Sequence, residues 1–155
     1  MTIEIDVLEP YQELVDAARL EEVARRTLEA ERAQGDITIL ITDDETVAEL
    51  NQRYLGKEGP TDVLSFPANG PNASDGFVLP PGEAAYLGDI LIALPYTQRQ
   101  AERLGRPLAD ELALLVVHGV LHLLGYDHAT PEEKAAMWAR QNAILAALGM
   151  PPLEA

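Results

Sequence analysis

All three histidines of the chain fall in one short segment, His118-Gly-Val-Leu-His122-Leu-Leu-Gly125-Tyr-Asp127-His128. On a helix, His118 and His122 project from one face, one turn apart. Gly125 is suited to end that helix and turn the chain back, which brings His128 towards the other two. Neutral imidazoles converging from a helix and its following turn are the donor set of a zinc ion that keeps one coordination position open. The neighbours in the run are Leu and Val, which give a buried imidazole no hydrogen-bond partner. A purely structural role for both helical histidines would therefore leave polar groups unsatisfied. The residues predict one Zn2+ per chain on His118, His122 and His128, with the same three forming the catalytic centre.

The spacing H-x3-H-x2-G-x2-H also reproduces the ligand pattern of metzincin peptidases. Those enzymes carry Glu directly after the first histidine as general base, and here that position is Gly119. A zinc hydrolase of peptide or amide bonds is thus the lesser reading. A structural metal in a non-enzymatic assembly factor is a third, although structural sites normally take four protein ligands. Asp127, next to a ligand, is a candidate base or an orienter of His128, and it is also an ordinary turn residue closing the helix end. Asp89 is a carboxylate in an apolar strand. It needs a partner, either backbone N–H groups or a metal-ligand histidine.

Around this segment the elements follow from periodicity. Ile3, Ile5 and Val7 alternate with polar residues as in a half-buried strand. Leu20, Val23, Ala24 and Leu28 recur at helical spacing in an amphipathic helix that ends near Gly35. Asp36 to Thr42 is a β-branched strand, after which Thr42 and Glu45 read as a capping box for a helix with Val47, Leu50 and Tyr54 on its apolar face. Thr61 to Phe66 is a short strand stopped by Pro67. Positions 68–84, rich in Pro, Gly, Asn and Ser, form a long loop, either a binding loop or a tolerated excursion. Tyr86 to Ala93 is apolar on both faces and so central in its sheet, with Gly88 marking a bulge or a close backbone approach. Pro95 opens a helix through Leu104 that carries Arg99 and Arg103, with Arg106 following. Pro107 sits at the first position of the histidine helix, which is apolar on nearly every side from Leu112 onward. Thr130, Pro131 and Glu133 cap a last helix running to Gly149, with Met137, Ile144 and Leu148 on its apolar face and Trp138 and Leu145 alongside. The fold class is α+β, with helices packed around a central metal-binding helix.

The chain has 155 residues, the size of one domain with a real core, and residues 1–155 are expected to form a single hydrolase domain. Twenty-six acidic residues against eleven basic ones give a net charge of −15. That charge opposes non-specific attraction to nucleic acid or anionic lipid, so an RNA partner must find a local basic patch. With no cysteine, a metal is held by nitrogen and oxygen donors only. The first residues lack the basic and apolar regions of a secretory signal. The longest apolar run, Leu112 to Leu124, is too short to span a membrane. A cytosolic protein with no membrane partner is expected. Neither a phosphate-cradling glycine loop nor a nucleophile elbow is present.

The histidine segment resembles the three-histidine motif of the YbeY family, bacterial metal-dependent endoribonucleases that mature ribosomal RNA. Leu50-Asn51, Tyr54, Lys57 and Pro60-Thr-Asp-Val-Leu-Ser-Phe-Pro67 resemble that family's other characteristic block, and Leu87-Gly-Asp-Ile90 a third. Together these cover the chain from about Asp36 to its carboxyl terminus. The resemblance implies a mixed sheet of four strands with the motif helix central, and zinc on His118, His122 and His128. It implies single-stranded RNA as substrate, with a role in 3′-end maturation of 16S ribosomal RNA and in ribosome quality control. The ribosomal small subunit would be its partner and the bacterial cytoplasm its compartment. One position departs from the pattern: the family usually has Arg after the Tyr of its upstream block, and here Leu55 stands there. An isobutyl group cannot replace a guanidinium that holds a phosphate bidentately. Either Arg53 or Lys57 reaches into its place, or activity is weaker or uses a different contact; Arg53, Lys57 and Arg99 are the candidates for phosphate contact.

Overall fold

The computed structural model describes residues 2–59, 61–68 and 85–150. From position 69 onward the expected long loop lies outside the described residues, as does Pro60 of the upstream block.

Four strands, β1 (Ile3–Val7), β2 (Asp36–Thr42), β3 (Val63–Pro67) and β4 (Tyr86–Ala93), form one sheet in the order β1-β2-β4-β3. β1, β2 and β4 are parallel, and β3 runs antiparallel against β4. The period of two explains what each face buries. Ile37, Ile39, Ile41, Ile90 and Ile92 fill one side, where they meet α1 (Ala17–Ala30), α4 (Leu108–Leu123) and α5 (Pro131–Ala147). Leu64, Leu91 and Ala93 fill the other, against Val47 and Leu50 of α2 (Asp44–Leu55) and Tyr96 of α3 (Leu94–Leu104). Helices thus cover both faces of the sheet.

α4 is buried at every position from Glu111 to Leu121. It lies so close to the sheet that a Cβ at Gly119 would sit 3.0 Å from the Ile90 side chain. The position where a peptidase would carry its Glu therefore packs against β4. Gly88 behaves as its place in the strand suggested: its φ is +143°, and a Cβ there would come within 2.3 Å of the Phe66 carbonyl oxygen.

Several boundaries differ from expectation, each for a local reason. Thr42 does not cap α2, because it still pairs with Ala93 in the ladder. The cap falls on Asp43, whose carboxylate accepts from Thr46 N–H at 2.7 Å. Pro107 is the cap residue of α4 rather than its first helical one, with its carbonyl accepting from the Asp110 and Glu111 N–H groups. Pro67 belongs to β3 and pairs with Gly88, since an edge strand tolerates a missing N–H. Asp89 bonds the Tyr86 hydroxyl rather than a histidine. A 3-10 helix at Glu9–Leu14 was not legible as an element.

Candidate metal centre

α4 delivers His118 and His122, and a tight C-terminal turn delivers His128. Gly125 N–H donates to the His122 carbonyl and Tyr126 N–H to the Leu121 carbonyl, both at 3.0 Å. This doubly bonded turn needs the left-handed φ of +103° that glycine adopts at position 125. Asp127 Oδ1 then accepts from His128 N–H at 2.8 Å, fixing the start of the exit strand of chain. A further tie holds the turn from outside: the Tyr126 hydroxyl donates to Glu31 at the end of α1 at 2.7 Å. The same carboxylate receives Arg140 Nε of α5 at 2.8 Å.

One nitrogen from each of the three imidazoles lies within 4.8 Å of the others. Exposure is graded across them: His118 is buried at 7%, His122 is half-buried and His128 is exposed. Burial pushes the His118 imidazole down to about 4, and the adjacent His122 ring adds to the effect. His122 is also lowered, by burial first and by His128 second. Both helical rings are therefore neutral at pH 7, the state in which imidazole ligates a metal. His118 Nδ1 lies 3.1 Å from Gln141 Oε1, which leaves Nε2 as its ligating atom. Trp138 stands edge-on to both His118 and His128, with centroids 5.7 Å away in each case. Among the described residues no other His, Asp or Glu joins this group. Three nitrogen donors gathered at a partly solvent-open site fit a divalent transition metal with an exchangeable position.

The three histidines line a cleft of about 900 Å³. Leu55 and Lys57 from the end of α2 and its following loop, Asp62 and Ser65 around β3, and Lys134 of α5 complete its walls. Asp127 and Lys57 thus share the cleft with the histidines. Arg53 and Arg99 do not line it. Arg53 is exposed with its guanidinium 5.8 Å from the Tyr54 ring centroid. Arg99 is paired with Asp44 at 2.7 Å, fastening α3 to the start of α2. Arg106, of the same basic cluster, is paired with the fully buried Glu111 at 3.1 Å. Two of the three arginines that precede the histidine helix in sequence are thus engaged in ion pairs of the fold.

Sequence reasoning missed Asp62, Lys134 and Gln141. Lys134, Trp138 and Gln141 fall at helical spacing, so a polar stripe running through Trp138 was the available signal. Asp62 read as part of the strand from Thr61 and of the block that resembles the family, with nothing to mark it for chemistry; β3 in fact begins one residue later, at Val63. The Asp62 carboxylate is held by Val63 N–H at 2.8 Å and Gln100 Nε2 at 3.0 Å.

Residues 5–149 match the family model described as Endoribonuclease YbeY. A protein of Roseiflexus sp. (strain RS-1) with that name is 46% identical over 152 residues, covering 96% of this chain and 94% of its own length. A Thermobifida fusca protein of the same name is 42% identical over 144 residues, 92% of either chain. The solution structure of a Thermotoga maritima protein superposes with a TM-score of 0.56 at 22% identity, over 96% of this chain and 92% of that one, and shares the fold. With its family model matched over nearly its whole length and its histidines gathered at one open cleft, the chain belongs to the endoribonuclease YbeY family.

Proposed function

We propose that the chain is a zinc-dependent endoribonuclease that cuts single-stranded RNA, acting in 3′-end maturation of 16S ribosomal RNA and in ribosome quality control. Its compartment is the bacterial cytoplasm and its partner the ribosomal small subunit. Among the described residues no helix is long and apolar enough to cross a membrane. The observation that carries this reading is the cleft, in which three imidazoles within 4.8 Å of one another share one wall system with two lysines. His118, His122 and His128 are the metal ligands, and an all-nitrogen donor set suits zinc. When bound, such an ion polarises a phosphoryl oxygen and acidifies water at neutral pH.

The chain's own residues supply the rest. Lys57 and Lys134 both line the cleft, and in this reading they hold the phosphates flanking the scissile bond. Among the described residues, Asp127 and Asp62 are the carboxylates lining the cleft that can take a proton from the attacking water or the substrate's 2′-hydroxyl. Asp127 also sets the turn through His128 N–H. Gly119 faces Ile90, so no glutamate stands where peptide hydrolysis of the metzincin type places its base.

The test is metal analysis of the purified protein beside digestion of labelled single-stranded RNA and of casein. His122→Ala is expected to lose the bound metal and at least about a hundredfold in RNA cleavage while keeping most of its helix content. Casein cleavage without RNA cleavage would overturn the proposal.

A further inference from the structure

Gln141 is a buried polar residue in contact with the site. It lies on α5 with no exposed surface, among Met137, Ile144 and Leu145 of the core. A primary amide placed there costs stability unless its polar atoms are engaged. Only one end is: Oε1 meets His118 Nδ1 at 3.1 Å, while Nε2 is buried without a hydrogen-bond partner. A leucine or methionine would fill the same space without that loss, so packing alone does not account for an amide here.

The imidazole explains it. A neutral ring carries one N–H, and the nitrogen without it is the one that can bind a cation. With Oε1 towards the ring, Nδ1 holds the hydrogen and Nε2 keeps its lone pair. With the amide turned over, its NH2 would donate to Nδ1, the ring hydrogen would move to Nε2, and that nitrogen would be closed to a cation. Glutamine at 141 thus acts on the metal through His118. We propose that Gln141 is a positioning residue that fixes the tautomer and the plane of His118, preorganising the innermost of the three donors. This rests on reading the three histidines as a cation site.

Gln141→Leu and Gln141→Glu test it. Glutamate keeps an oxygen acceptor opposite Nδ1, and leucine keeps the volume alone. Zinc affinity is measured by competition with a chromophoric chelator. The His118 tautomer is read in metal-free protein from nitrogen–proton correlation spectra of the ring, and helix content from circular dichroism. Expected are wild-type helix content for Gln141→Leu with zinc binding about 10- to 100-fold weaker and loss of the single Nδ1–H tautomer. Gln141→Glu should restore both affinity and tautomer. Unchanged affinity and tautomer in Gln141→Leu would overturn the proposal, as would a Gln141→Glu variant that folds yet binds as weakly as Gln141→Leu. If Gln141→Leu fails to fold, Gln141→Met takes its place with the same expectations. Should wild type itself bind no zinc, the cation site fails. A tautomer that still collapses in Gln141→Leu would keep the positioning role of Gln141 distinct from that failure.

Discussion

His118 sits at the point where burial and chemistry meet. Its folded-state value of about 4 lies below the ordinary 6.5 of histidine, so the metal-free fold excludes a proton that the unfolded chain accepts. Stability from this group is complete above pH 6.5 and is lost as pH falls towards 4, by about 3 kcal/mol at most. Urea unfolding of metal-free protein near neutrality and at about pH 4 should show the loss, and His118→Gln should reduce it. An undiminished pH dependence in that variant would place the proton elsewhere. Leu55, 47% exposed and on the cleft wall, is the other informative residue. Leu55→Arg should leave metal content unchanged and tighten single-stranded RNA binding on the order of tenfold, through a forked phosphate contact. Weaker binding by filter assay would mean that this wall does not face the RNA.

Among the elements, α4 explains why the chemistry and the fold cannot be separated. Its Glu111, Leu115, His118 and His122 follow helical spacing, and the last three line the cleft. Gly119 turns towards β4 instead. Gly119→Glu is therefore expected to destabilise the protein by more than about 3 kcal/mol, since it drives a carboxylate into the isoleucine layer. Thermal unfolding checks this, and a variant that melts like wild type would mean the helix can lift from the sheet. This helix was legible because its apolar residues run almost without interruption and its histidines stand out against them. All four strands were legible too, from the alternation of Ile3, Ile5 and Val7, the β-branched run before Thr42, the short run from Thr61 to Phe66 and the apolar faces of Tyr86 to Ala93. Thr130 caps α5 as read from the sequence, whereas the α2 cap slipped by one residue because strand pairing, which holds Thr42 in the ladder, is a tertiary fact. Arg99 was misplaced for the same kind of reason: proximity in sequence to α4 does not show that Asp44 waits beside it. Gln141 was silent because an amide looks like any surface residue until the burial of α5 is known.

For the molecule as a whole, charge and function pull in opposite directions. A net charge of −15 repels a polyanion, and the cleft counters it with Lys57 and Lys134 alone among the basic residues that line it. RNA binding should therefore depend only weakly on salt, with log K falling by about 1.4 per decade of salt for two phosphates contacted. A slope steeper than about −4 would place the RNA on another surface.

The mooring of Tyr126 to Glu31 and Arg140 has one more implication. Two donors ride on a helix that the core holds, but the third is steered by a carboxylate contributed from the opposite end of the chain. The turn that carries His128 thus gains its outermost fastening only where α1 and α5 have come together, so a change at either distant helix is felt at the histidines.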